Sequence, residues 1–231
     1  MTAPSLGTVT IGQAPRPDVV PVLEAHLPPG VSAVHVGVLD RLGPEEIAAG
    51  FAPRPNQPRM VTRLADGRPV ELDAGAAEAG VQRKLHELED AGCSVVLVLC
   101  TGVFRGLRTR RSWLIEPDRI LPALVGGLVG PRKVGIVSPL GMPLDAARRK
   151  WAALQVPPRV AVALPYVSGE DAVSAAALEL KRAGADLLLM DCVGYTDRHR
   201  RAAARAADLP VLLSNELIAR VTGACFLGDA S

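Results

Sequence analysis

Two cysteines in this 231-residue chain stand at matching places in the sequence. Cys100 ends the apolar run VVLVLC and is followed by Thr101 and Gly102; Cys192 ends LLLMDC and is followed by Val193 and Gly194. A thiolate can take a proton and a thiol can return one. Two cysteines on opposite faces of a small substrate therefore suit racemisation or epimerisation at a carbon beside a carboxylate, one acting as base and the other as acid. A free thiol titrates near about pH 8.5, and a helix amino terminus or a nearby cation lowers that into the working range. The backbone N–H groups of Thr101-Gly102 and Val193-Gly194 are expected to face a substrate oxyanion. Basic residues follow each cysteine: Arg105, Arg108, Arg110 and Arg111 after the first, Arg198, His199, Arg200 and Arg201 after the second. Most of these read as solvated surface, with His199 kept as a possible auxiliary group.

The remaining candidates are weaker. The turn Gly12-Gln13-Ala14-Pro15-Arg16 follows the first apolar run, but the G-x-G-x-x-G spacing is absent and no G-K-[ST] occurs anywhere, so no nucleotide or other cofactor is expected. Gly12 and Gln13 are read as substrate-binding, and Arg16 as a bidentate fork for a carboxylate. Ser138 offers a hydroxyl at the corresponding turn of the second half, its bland alternative being a plain turn residue before Pro139. Tyr195 and Phe104, three or four residues past a cysteine, are expected to wall the cleft or else to pack the lobe interface. Cys93 and Cys225 read as packing residues, and His26, His35 and His86 as surface or satisfied core residues. The cysteine spacings match no zinc site, so no metal is expected.

The elements that must position these residues alternate. Strand-like runs fall at 6–11, 33–38, 94–100, 133–138, 159–163, 185–192 and 210–214, and helical patterns at 17–26, 45–49, 74–91, 117–128, 144–154, 170–183, 198–207 and 215–221. Runs at 59–64 and 69–72, joined through Asp66-Gly67, read as an appended hairpin. The alternation implies a mostly parallel sheet flanked by helices, an α/β fold. A weak internal repeat runs through it. GTVTIGQAP pairs with KVGIVSPLGMP, and each half later repeats helix, glycine, strand and cysteine. The expectation is two pseudo-symmetric α/β lobes with the active site in the cleft between them, since open α/β sheets bind ligands at the carboxyl ends of their strands. The predicted division is residues 1–118 plus 210–231 for the first lobe, with the hairpin inserted, and 119–209 for the second.

Composition narrows the class. With 48% hydrophobic residues spread along the whole length, the chain should bury a proper core, and with 3% aromatic residues that core must be aliphatic. The formal net charge of +2 gives no reason to expect nucleic acid as a partner. No apolar run is long enough for a membrane span and residues 1–17 lack the pattern of a signal peptide, so a cytoplasmic protein with free thiols is expected. The partner expected is a small carboxylate-bearing metabolite. A homo-oligomer stays open.

Four segments, DCVGYTDRHR (191–200), LPVLLSNELIAR (209–220), IEPDRILP (115–122) and TIGQAPRPD (10–18), resemble the AroM family over nearly the full chain. More distantly, paired half-domains with a cysteine at a strand end are similar to the aspartate/glutamate racemase superfamily, whose cofactor-independent members work beside a carboxylate or carbonyl. Cys100-Thr101 matches that superfamily's first site, where Asn-Thr usually follows the cysteine. Cys192 matches the second, usually Gly-Cys-Thr-His and here Asp191-Cys192-Val193-Gly194; the nearest histidine is His199. Gly12-Gln13-Ala14 stands where amino-acid racemases carry Asp-Ser-Gly. The resemblance implies a racemase or isomerase of a small carboxylate acting through Cys100 and Cys192. A one-cysteine decarboxylase or lyase and a non-catalytic metabolite-binding protein are the alternatives.

Overall fold

The computed structural model describes residues 5–167 and 169–226, which form two units: one running to Pro117 and resuming at Arg220, the other Asp118–Ala219. The first is built on a four-stranded parallel sheet of β1 (Ser5–Thr10), β2 (Ser32–Gly37), β5 (Val95–Val98) and β6 (Trp113–Ile115), in the order β2-β1-β5-β6. The second has β7 (Val134–Ser138), β8 (Arg159–Val162), β9 (Leu187–Met190) and β10 (Val211–Leu213), in the order β8-β7-β9-β10, also all parallel. Each sheet thus runs second, first, third, fourth in its own chain order. The internal repeat is a repeat of topology, with β1 equivalent to β7 and β5 to β9. Those central strands are almost wholly buried, as strands covered on both faces must be, while the edge strands β2 and β8 carry exposed positions.

The helices follow the apolar spacing. In the first unit these are α1 (Val20–Glu24), α2 (Pro44–Phe51) and α3 (Ala74–Asp90). On α3, Ala77, Val81, Leu85 and Leu88 form one buried stripe against the first core. Asp73 caps it, its carboxylate accepting from the Ala76 N–H at 2.9 Å. In the second unit α4 (Pro117–Val129) and α5 (Leu144–Lys150) precede α6 (Glu170–Arg182) and α7 (Asp197–Ala207), and α8 (Ser214–Ala224) starts there and passes into the first unit at Arg220. The helix leading to each cysteine strand ends in the same way. Gly92 and Gly184 both have φ +87°, and the next residue's N–H reaches back five residues, Cys93 to Leu88 and Ala185 to Leu180. Only a residue tolerant of that left-handed conformation lets the chain turn from helix into strand so abruptly.

The hairpin occurs as expected, with β3 (Arg59–Arg63) paired antiparallel to β4 (Pro69–Asp73). Strand β6 is an addition that the sequence reading lacks. The division of the chain is corrected at its tail. Val211–Leu213 pairs with β9 at Val211↔Leu188, so the segment after 210 belongs to the second unit and the return to the first comes only at Arg220. Residues 1–4 and 227–231 of the predicted first lobe lie outside the described residues. No helix among the described residues is long and apolar enough to cross a membrane.

Candidate active site

Each unit carries one cysteine station, and the two are built by the same backbone device. In the first, the residue before the cysteine, Leu99, donates its N–H to Val9 of β1 at 2.7 Å, which sets Cys100 just beyond the carboxyl end of β5 beside the end of β1. In the second, Asp191 donates to Val137 of β7 at 2.9 Å and sets Cys192 in the equivalent place. Two residues later the chain folds back on the sulfur. The Gly102 N–H donates to Cys100 Sγ at 3.3 Å, and the Gly194 N–H to Cys192 Sγ at 3.4 Å. The expected role of these glycines is therefore revised: their N–H groups are spent on the sulfurs rather than held out for a substrate oxyanion. An N–H aimed at sulfur favours the thiolate over the thiol, as hydrogen bonds to a charged form do.

Side chains close over each turn. A Cβ on Gly102 would lie 3.0 Å from Cε of Met60, on β3 of the hairpin. A Cβ on Gly194 would lie 2.4 Å from the ring of Tyr166, which follows β8. The Tyr166 hydroxyl is 3.7 Å from Cys192 Sγ, within hydrogen-bonding reach of sulfur. Cys192 is 7% exposed, and Cys100 is half-buried against the first core. Asp191, immediately before Cys192, forms an ion pair with Lys150 at 2.5 Å, the two side chains only 1% and 5% exposed. The Asn215 amide at the start of α8 donates to the carbonyls of Val193 and Tyr195 at 3.1 and 2.8 Å, so the turn past Cys192 is tied down from behind.

The loop past Cys100 is tied to α3 instead. Glu78 accepts from the N–H groups of Arg105 and Gly106, Gln82 from that of Arg108, and the buried Glu89 from those of Arg110, Arg111 and Ser112. Burial alone would raise the Glu89 pKa. The N–H groups of Ser112 and Arg111, then the Arg110 side chain and N–H, outweigh that and hold it at about 2. Arg105, Arg108 and Arg111 are held through their backbones, whereas Arg110 also pairs through its side chain with Glu89 and Asp90.

Several expected substrate contacts are committed within the protein. Arg16 is 2% exposed and its guanidinium fork is taken by the carboxylate of Asp18, at 2.9 and 2.7 Å, while its third nitrogen donates to Thr10 Oγ1 at 3.3 Å. The carboxylate that Arg16 binds is thus the protein's own. The Gln13 amide donates to the Leu39 carbonyl and accepts from the Ala65 N–H, bridging the first turn to the hairpin. Gly12 donates to Thr10 Oγ1 and accepts from the Leu39 N–H. Tyr195 is fully buried in the second core with its hydroxyl donating to the Ala163 carbonyl, and burial, then the neighbouring charges of Cys192, Asp191 and Tyr166, push its ionisation far above the usual range. Phe104 likewise lies in the first core.

His199 sits at the first turn of α7 and accepts the Thr196 N–H at Nδ1, 3.0 Å, edge-on to Tyr195. Burial first, and then the Arg198 charge, lower its pKa, which keeps Nδ1 free to accept. It is a capping residue, and Arg198, Arg200 and Arg201 pair with Glu170 and Asp197 on the surface. Thr101 and Ser138 are buried at the ends of β5 and β7. Cys93 and Cys225 have their pKa values raised by burial and behave as packing thiols. Thr10, Asp18, Lys150, Tyr166 and Asn215 were not picked out from sequence. Lys150 carried a signal, as one of only four lysines in a chain rich in arginine, and Asn215 lay inside a quoted motif.

A sequence model of the AroM protein family matches residues 6–226. The chain belongs to the AroM family. No curated protein sequence matches it. Among solved structures, this AroM family chain is similar to unliganded arylmalonate decarboxylase, at 15% identity and a TM-score of 0.59 over 99% of this chain and 94% of that one. It is also similar to glutamate racemase from Thermus thermophilus in complex with β-chloro-D-alanine, at 16% identity and 0.55 over 99% and 84%. A cysteine-to-serine variant of maleate cis-trans isomerase from Nocardia farcinica, with a covalently bound succinylcysteine intermediate, matches at 17% identity and 0.54 over 94% and 89%. The AroM family chain thus shares the fold of these three structures.

Proposed function

We propose that this AroM family protein is a cofactor-independent racemase or isomerase of a small carboxylate, with Cys100 and Cys192 as the two proton-transfer groups. The observation that carries this reading is the duplicated station: the same strand end, the same spacing and the same glycine N–H on the sulfur in each unit. In the proposed reaction one sulfur, as thiolate, takes the hydrogen from the carbon beside the carboxylate, and the released electron pair moves onto the carboxylate oxygens. The other sulfur, as thiol, returns a proton to the opposite face of that carbon. The enzyme ends with the roles of the two sulfurs exchanged, and the reverse reaction restores them. Such chemistry needs the sulfurs roughly 7 to 9 Å apart, which near-attack contacts of about 3.5 Å on each face imply.

The committed fork of Arg16 changes how the carboxylate is to be held. Thr101 and Ser138, at the ends of β5 and β7, remain the proposed substrate-binding residues, which favours recognition by neutral N–H and O–H donors. Incubating a panel of small 2-substituted carboxylic acids with the protein in heavy water tests the reading. Exchange at the α-carbon is expected for some member, and Cys100→Ala and Cys192→Ala should each abolish it. Exchange that survives both substitutions would falsify the mechanism. A one-thiol decarboxylase or lyase is the second reading, favoured by the additional groups around Cys192, namely Tyr166 and the Asp191–Lys150 pair. It predicts release of carbon dioxide or a fragment, loss of activity in Cys192→Ala and a mild effect of Cys100→Ala.

A further inference from the structure

We propose that Tyr166 is a positioning residue for Cys192, its hydroxyl donating to the sulfur and holding it as the thiolate that the proposed proton transfer needs. The inference rests on the reading of Cys192 as a proton-transfer group and adds what tunes it. Three observations meet here. The Tyr166 hydroxyl is 3.7 Å from Cys192 Sγ, a contact that either atom could donate in the neutral state and only the phenol can donate once the sulfur is ionised. The Gly194 N–H reaches the same sulfur at 3.4 Å, so the thiolate would sit between two donors. Residue 194 must also be glycine for the ring to lie where it does, since a Cβ there would be 2.4 to 2.7 Å from three atoms of Tyr166. The absence of a side chain at 194 and the presence of the phenol are one arrangement.

The other ionisable groups on the elements around Cys192 are Asp191, neutralised by Lys150; Tyr195; His199 of α7 with that helix's Asp197 and four arginines; and Glu216 and Arg220 of α8. Tyr195 cannot play the part of Tyr166, because its hydroxyl is given to the Ala163 carbonyl. His199 is committed to the Thr196 N–H. Replacing Tyr166 by phenylalanine leaves all of these in place and removes one oxygen. The ring, and with it the packing over Gly194, is retained.

The test is the pH dependence of alkylation by iodoacetamide, with Cys192 followed by peptide mass spectrometry in the full chain. In Tyr166→Phe the midpoint for Cys192 is expected to rise by about one pH unit, the difference between a hydrogen bond to a charged and to a neutral sulfur. The limiting rate at high pH is expected to rise about threefold, because a thiolate relieved of a donor is more basic and more nucleophilic. Tyr166→Leu, which removes the ring as well, should raise the midpoint equally. A midpoint unmoved in Tyr166→Phe, or moved only in Tyr166→Leu, overturns the proposal and leaves Tyr166 a packing residue. No substrate enters the measurement. A failed search for turnover therefore leaves this result standing, and an unmoved midpoint leaves the racemase reading standing.

Discussion

At Cys100 the turn past the sulfur is held by a helix: Glu78, Gln82 and Glu89 of α3 take up the N–H groups of the loop that follows, and the hairpin lays Met60 over Gly102. At Cys192 it is held from within its own unit by a buried ion pair beneath the strand, by Asn215 behind the turn and by Tyr166 over Gly194. The backbone geometry at the two sulfurs is nonetheless the same to within a tenth of an ångström in the N–H to sulfur distance, 3.3 against 3.4 Å. The difference teaches that the topology sets the station and the surrounding side chains set its chemistry. A thioether over one turn and a phenol over the other give the same device two different electrostatic settings.

The strongest way to separate the stations is to break the ion pair. Lys150→Met leaves the Asp191 carboxylate buried beside Cys192, and should cost about 3 to 5 kcal/mol of stability in urea unfolding. Lys150→Met combined with Asp191→Asn should recover much of it, and failure to recover would mean that the pair does more than neutralise charge. Next comes the anchor of the first station. Glu89→Gln removes a charged acceptor from three N–H groups and should cost about 1.5 to 3 kcal/mol.

That substitution also changes the acid limb. Because the folded value of Glu89, about 2, lies below its ordinary value of 4.5, its contribution is complete above pH 4.5 and is withdrawn as the pH falls toward 2. The variant's unfolding free energy should depend less on pH across that window than the parent's. A pH profile parallel to the parent's would remove Glu89 as the anchor.

A matched pair of smaller changes addresses the turns themselves. Gly194→Ala drives a methyl into a rigid ring and should destabilise by about 1 to 3 kcal/mol, whereas Gly102→Ala meets the flexible end of Met60 and should cost less than about 1 kcal/mol. Equal effects would mean that the two coverings are mechanically alike. The smallest effect is expected on the surface. Arg201→Ala removes an exposed pair with Asp197 and should change stability by less than about 0.5 kcal/mol while leaving α-hydrogen exchange unaltered. A large loss of exchange would restore a substrate-facing role to the basic cluster.

Much of this architecture was legible in the residues, because its strongest features are periodic or repeated. The apolar strands leading to Cys100 and Cys192, the helix stops at Gly92 and Gly184 and the hairpin around Asp66-Gly67 all follow from local chemistry. Strand β6 was not legible, since Trp113–Ile115 is three residues long, follows two arginines and is a strand only because β5 offers it a ladder. The tail was misplaced for a similar reason. Nothing in 209–214 says which sheet it joins, and the answer lies in its pairing with Leu188–Met190.

At the site, the type and spacing of Cys-x-Gly were visible while the direction of the glycine N–H was not. Arg16 shows the same gap. It was expected to take a substrate carboxylate, yet the carboxylate of Asp18, two residues away, occupies its fork. Tyr166 could not be found at all from sequence, lying 26 positions from the sulfur it touches.

The return of the chain to its first unit at Arg220 has a consequence for how the protein is made. The second sheet is drawn from one continuous stretch, Asp118–Ala219, and has all its strands once β10 has left the ribosome. The first sheet has all its strands by Ile115, but its unit gains the segment from Arg220 only after the second unit has been made, including Gly223, which packs so closely on the His26 carbonyl that a Cβ there would lie 2.1 Å from the oxygen. Elongation at about 5 to 20 residues per second places some five to twenty seconds between those two events. During that interval the earlier-made half stands with the face beside His26 uncovered, so the half translated first is completed only after the half translated second.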